Sequence, residues 1–274
     1  MIDLEYLDEF CNIYSNRPIK KNTGGMGFNH SFALFSILKK LKPELVIESG
    51  VWRGHSTYII EKALPKAEIV SLDVNLKHRK YISNNSTYFE TDFNNIDWSN
   101  YKNINKSICF FDDHQNSLER LKEMKWWGFT RAIFEDNFPT GEGDSYSLKQ
   151  IIDCSGHPNI ELSEKYQPSR KKERFKRRFE EIVLNKYYFR QNMIVRPNKV
   201  DKKGFELNIK NFVELPPVIS NKTNIWEKEW NGNYSKLPDL INKKNLKDHT
   251  YFSDYISNNK EDFEYSFITY VELN

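Results

Sequence analysis

The sequence predicts an α/β protein: a Rossmann-like, mostly parallel sheet with helices on both faces, extended by a helical and irregular insertion. Three observations carry this. Between residues 45 and 137, short apolar runs alternate with helical stretches, the pattern of βαβ units. Each run leads into polar or acidic residues, where strands of such a sheet meet their ligands. The first run is followed by two glycines and a Ser-Thr pair that opens a helix.

The elements follow in order. In the lead-in, residues 1–44, Leu4, Leu7 and Phe10 sit at helical spacing. A polar loop, Asn22-Thr23-Gly24-Gly25-Met26-Gly27, suits either a hinged lid or a flexible connection. Phe32, Leu34, Phe35, Ile37, Leu38 and Leu41 then predict an amphipathic helix that stops before Pro43. The core, residues 45–150, offers the strands Leu45-Val46-Ile47, Ile69-Val70-Ser71-Leu72, the weaker Ser86-Thr87-Tyr88-Phe89, Ile108-Cys109-Phe110-Phe111 and Ala132-Ile133-Phe134. Residues 151–264 break the rhythm and read as an insertion or lid. They include a basic helix over 171–181, docked by Phe175 and Phe179, whose charged face suits an anionic partner or solvent. Residues 265–274 alternate well enough for a strand returning to the core sheet.

Composition excludes several classes. A chain of 274 residues fits one large domain, or a core with a sizeable insertion. Lys and Arg number 41 against 38 Asp and Glu, so the net charge of +3 argues against a nucleic-acid coat protein, and there is no RNA-binding motif. No window approaches the ~20 apolar residues of a membrane helix. The start, Met1 to Glu5, is acidic where a signal peptide is basic and then apolar, so the expected compartment is the cytoplasm. Three cysteines with no CxxC spacing exclude a disulfide framework or zinc knuckle, and Cys109, inside an apolar run, reads as core.

The most informative segment is Leu45-Val46-Ile47-Glu48-Ser49-Gly50-Val51-Trp52-Arg53-Gly54-His55-Ser56-Thr57. It is neither the GxGxxG dinucleotide fingerprint nor a phosphate loop. It resembles motif I of class I S-adenosylmethionine-dependent methyltransferases, in the Glu-x-Gly-x-x-x-Gly-x-Ser-Thr form of cephalosporin-hydroxylase-like and related small-molecule methyltransferases. The resemblance implies a cofactor site that includes Glu48, Gly50, Gly54 and Ser56. Gly50 would approach the amino-acid end of the cofactor, and Glu48 would order the loop or bind through water. The competing reading is an ordinary strand–turn–helix. Asp73 ends the second run, where a carboxylate can accept from both ribose hydroxyls. Asp92 follows the third, where the family often places an adenine-binding acid; a helix cap is the alternative.

The fourth run ends in Asp112-Asp113-His114 and the fifth in Glu135-Asp136-Asn137. Carboxylates crowded into one crevice repel one another, and a hard cation such as Mg²⁺ relieves this. The pairing resembles the metal-dependent catechol-type O-methyltransferases. That implies metal ligation by Asp113 (or Asp112), Asp136 and Asn137, and activation of an acceptor hydroxyl. His114 would serve as general base beside Asp113. The family's lysine after the fourth-strand Asp is absent here, and Asn116 or Ser117 suits a cap for a helix starting near Leu118. Tyr146, after the fifth run, would stack on substrate or pack.

The expected activity is methyl transfer from S-adenosylmethionine to the oxygen of a small polar metabolite or sugar, by a protein able to form homo-oligomers; the catechol-type resemblance adds Mg²⁺ assistance as an option. Two alternatives stay open: a hydroxylase-like or metal-dependent hydrolytic enzyme on the same scaffold, and a non-catalytic cofactor- or phosphate-binding module.

Overall fold

The computed structural model describes residues 2–157, 195, 197–226, 228–230, 232–242 and 263–274. Seven strands form one sheet in the order β3-β2-β1-β4-β5-β7-β6. The strands are β1 (Leu45–Ser49), β2 (Glu68–Asp73), β3 (Ser86–Glu90), β4 (Ser107–Phe111), β5 (Arg131–Phe134), β6 (Ile209–Glu214) and β7 (Thr269–Leu273). The first five are parallel, and β7 runs antiparallel between β5 and β6. Ser49 is in register with Leu72 on one side and Phe111 on the other, so the carboxyl ends of the central strands lie level.

Side-chain alternation divides the core in two. Val46, Ile69, Ile108 and Ile133 face α1 (Leu7–Ser15), α2 (Phe28–Leu41) and α3 (His55–Ala63). Leu45, Ile47, Val70 and Cys109 face α4 (Ser117–Trp127), α5 (Leu148–Ile152) and α6 (Lys199–Asn208). The shortage of aliphatic side chains is met by rings: Phe10 lies within 5.4 Å, centroid to centroid, of Tyr14, Phe28, Phe32 and Phe35. Each buried ring of this kind contributes roughly 1.5–3 kcal/mol.

Local chemistry sets the ends of the helices. α2 closes at Lys42, in the left-handed region at φ 46°, just before Pro43. Asn116 caps α4 by accepting from the amides of Leu118 and Glu119. Ser147 and Gln150 form a capping box on α5.

The last strand is shorter than the 265–273 expectation and begins at Thr269. β6 is a strand of the core sheet although it lies within 151–264, the stretch read as an insertion. The basic helix expected over 171–181 lies outside the described residues. No helix among the described residues is long and apolar enough to cross a membrane.

Candidate functional site

The carboxyl end of β1 turns sharply into α3. Gly50 takes φ 99°, and a Cβ there would lie 1.9 Å from the carbonyl oxygen of Asp112. The loop after β1 therefore passes the loop after β4 at a distance only glycine allows. Gly54, at φ 88°, also runs close to a backbone carbonyl, and a Cβ there would lie 2.7 Å from that of Tyr81.

Glu48 is fully buried and points away from the loop. Its Oε2 accepts from the hydroxyls of Thr57 (2.7 Å) and Ser71 (2.6 Å). Burial raises its pKa, and hydroxyls that include Ser56 resist that rise. Ser56 is thus turned inward onto Glu48, and neither residue lines the pocket described below. The two order the loop from beneath.

Asp73, at the end of β2, accepts three backbone amides: Val51 (3.0 Å) and Trp52 (2.8 Å) on Oδ2, and Asn75 (2.8 Å) on Oδ1. It ties the glycine loop to its own strand. A carboxylate has about four acceptor sites, so Oδ1 keeps room for one more donor.

Asp92 and Asp113 meet on one guanidinium. Arg120, buried on α4, donates Nη1 (2.9 Å) and Nη2 (2.7 Å) to Asp92, Nε (2.9 Å) to Asp113 Oδ2, and Nη1 (2.8 Å) to Glu123. Asp113 Oδ2 also accepts from Ser49 Oγ at 2.6 Å, and its Oδ1 from the amide of Gln115. Burial works against the Asp92 charge, but Arg120 outweighs it and holds the carboxyl below its ordinary value. Asp92 further caps the turn at Phe93–Asn95 by accepting the Asn94 amide.

These commitments bear on the expected metal ligands. Asp113 is engaged by Ser49, Arg120 and Gln115. Asn137 is fully buried; its Nδ2 donates to Thr269 Oγ1 (2.8 Å) and Glu214 Oε1 (3.2 Å), and its Oδ1 accepts the amide of Lys149 (2.8 Å). It joins β5 to β6, β7 and α5 from inside the core. The groups that converge instead are Asp112, His114 and Asp136, whose ligand atoms lie within 4.8 Å of one another. Asp136 Oδ2 is buried without a hydrogen-bond partner.

His114 sits in the left-handed region at φ 52°. Its Nδ1 is 2.8 Å from Asp144 Oδ1 and 3.5 Å from Asp136 Oδ2. Burial disfavours the imidazolium, but the charge of Asp136 and the hydrogen bond from Asp144 prevail and lift the pKa to about 11. An upward shift favours the imidazolium, the form that donates hydrogen bonds rather than the one that accepts a proton. It supplies a positive charge that the acidic crevice needs. Burial and the neighbouring Glu135 push Asp112 and Asp136 well above the ordinary carboxylate value. Behind them, His30 Nε2 accepts the amide of Ser266 (3.1 Å), so its proton resides on Nδ1 and is donated to Glu135 Oε1 at 2.5 Å.

One pocket of about 330 Å³ collects these strand ends. Of the residues expected from sequence, Gly50, Asp73, Asp92, Asp113 and His114 line it; Glu48, Gly54, Ser56, Asp136 and Asn137 do not. Gly24 and Gly25 of the polar loop also line it, whereas Tyr146 packs in the core and donates to Asp201. Sequence reasoning passed over Trp52, Asn75, His78, Thr91 and Gln115 in the lining. Trp52 had a signal, its place between the two motif glycines. The others are polar loop residues with none.

No family model matches the chain, and no curated protein matches it. Solved structures similar in fold include an apo structure of CmcI (17% identity, TM-score 0.30, covering 39% of this chain and 51% of that one). A putative O-methyltransferase from Klebsiella pneumoniae is 14% identical (TM-score 0.37, covering 48% of this chain and 64% of that one). The O-methyltransferase from Bacillus cereus in complex with SAH is 15% identical (TM-score 0.36, covering 66% of this chain and 79% of that one). The chain thus spans about half of CmcI and less than two thirds of the Klebsiella protein.

Proposed function

We propose that this protein is an S-adenosylmethionine-dependent methyltransferase acting on a hydroxyl oxygen of a small polar acceptor, such as a sugar. The observation that carries the reading is the pocket at the carboxyl ends of β1 to β4, where the strand order reverses. It is lined by Gly50, the Asp73-tethered loop and Asp92 on one side, and by Asp112 and His114 on the other. The first group suits the nucleoside and amino-acid parts of the cofactor. Asp73 Oδ1 is the acceptor open to a ribose hydroxyl, and the loop held by Asp73 presents backbone to the amino-acid end.

When bound, S-adenosylmethionine would supply an electrophilic methyl group for in-line displacement by the acceptor oxygen, with S-adenosylhomocysteine as the leaving group. The chain's part is alignment and proton removal. Asp112 lines the pocket beside His114, and its carboxylate is the group placed to take that proton. His114, steered by Asp144, is a donor that can hold the acceptor oxygen in place.

Asp136 Oδ2, buried with no hydrogen-bond partner, favours a second reading, in which a divalent cation is bound. Asp112 and Asp136 would hold it, joined by His114 once the ion displaces the imidazole proton, and it would act as a Lewis acid on the acceptor hydroxyl. The donor set differs from the catechol-type one, since Asp113 and Asn137 are otherwise engaged.

Calorimetric titration with S-adenosylhomocysteine, with and without Mg²⁺ and with NAD as control, tests both readings. Selective binding supports the cofactor class, and a Mg²⁺ effect abolished in Asp136→Asn supports the cation. Absence of S-adenosylhomocysteine binding by folded protein would sink the proposal and bring forward the non-methyltransferase alternatives.

A further inference from the structure

Three strand ends of the pocket are bolted to one side chain that does not itself line it. Arg120 projects from α4 and is buried. Its guanidinium spans Asp92 at the end of β3 and Asp113 after β4, and Asp113 in turn accepts the hydroxyl of Ser49 at the end of β1. Ser49, Asp92 and Asp113 all line the pocket, and Arg120 lies behind it. We infer that Arg120 is the positioning residue of the pocket, and that Asp92 serves binding by gripping Arg120 rather than by reading the nucleobase.

The stoichiometry of hydrogen bonds supports this. Asp92 Oδ1 accepts Arg120 Nη1 and the Asn94 amide, and Oδ2 accepts Arg120 Nη2 at 2.7 Å. A planar fork on both carboxylate oxygens is the strongest arrangement open to this pair. Together with the Asn94 amide it fills three of the carboxylate's roughly four acceptor sites and leaves neither oxygen unengaged. An aspartate free to read an exocyclic amine would point an unengaged oxygen into the cavity. Here the two oxygens point to α4. The arrangement instead fixes the spacing between the loops after β1, β3 and β4, so a ligand lying across them meets a preformed wall. Lysine cannot replace Arg120, because a single ammonium cannot serve two carboxylates in a fixed plane.

This inference rests on the methyltransferase reading, and its test separates the two. Wild type, Asp92→Asn, Arg120→Lys and the double variant are titrated calorimetrically with S-adenosylhomocysteine and with its hypoxanthine counterpart, S-inosylhomocysteine. Circular dichroism and thermal melting report folding. If Asp92 acts through Arg120, each single variant weakens both ligands by about tenfold. The preference between the two ligands stays that of wild type, and the double variant is no weaker than Arg120→Lys alone. Asp92→Asn keeps the size of the side chain, so the test stands even if Arg120→Lys fails to fold. A preference that collapses in Asp92→Asn would show direct reading of the base and overturn the inference. So would unchanged affinities in folded variants. Wild type that binds neither ligand would overturn the methyltransferase reading itself.

Discussion

Gly50 and the backbone of Asp112 are so close that a single added carbon on Gly50 would sit 1.9 Å from the Asp112 carbonyl oxygen. Two loops from adjacent strands thus share one narrow space, and the floor of the pocket is where they cross. Gly50→Ala combines this clash with a left-handed φ, a conformation that alone costs about 1–3 kcal/mol for a residue with a side chain. The variant is expected to melt several degrees lower and to lose S-adenosylhomocysteine binding. Wild-type melting and affinity would contradict the account of the crossing.

Asn137 and Asp136 are neighbours in sequence with opposite expected phenotypes. Asn137→Ala removes three hydrogen bonds in a fully buried position and should destabilise by about 2 kcal/mol or more in urea unfolding. It should leave any Mg²⁺ effect on ligand binding in place. Asp136→Asn should cost little stability and remove that effect. A reversal of the two phenotypes would restore Asn137 as a ligand.

His114 provides a pH prediction with a definite sign. Its folded-state pKa, about 11, lies above the ordinary 6.5. Its pairing therefore stabilises the fold fully below pH 6.5, and that contribution is lost as pH rises through the folded value. Asp144 is shifted the other way: burial resists, but the hydrogen bond to His114 lowers its pKa. Its contribution is present above pH 3.8 and lost as pH falls through its depressed value. In Asp144→Asn the midpoint of the His114 ring titration, followed by NMR, should move down towards neutrality. An unmoved midpoint would show that the two residues are not paired in solution.

His30→Ala deprives the Ser266 amide of its acceptor and Glu135 of its donor inside the core. Loss of one partner from such a buried pair costs about 3–5 kcal/mol. Urea unfolding should show a lower midpoint with an unchanged slope. A variant within 1 kcal/mol of wild type, roughly the worth of one ordinary hydrogen bond, would show that Glu135 finds another partner.

What could be read from sequence was what is encoded locally. β1, its glycine loop and Asp73 lie within one βα unit, and the strand, the turn and the acid each leave their own mark there. The Asn116 cap was equally legible, since its amide partners are two and three residues away. Arg120 was not. In Ser117-Leu118-Glu119-Arg120-Leu121 it reads as a solvent-facing helix residue, and its main partner, Asp92, is 28 residues away. Asn137 misled for the same reason: its side-chain partners, Glu214 and Thr269, are 77 and 132 residues distant. β6 escaped notice because its half-buried residues, Ile209 to Glu214, lack a clean alternation.

The position of β7 has a consequence for how the molecule is made. The strand fills the slot between β5 and β6, yet it comes after both in the chain. While a ribosome is still delivering residues 215–268, β5 has an open edge and β6 has no neighbour to bond. The nascent protein therefore carries a half-built sheet whose exposed backbone invites pairing with other chains. Completion waits for Thr269–Leu273, which bond to both sides.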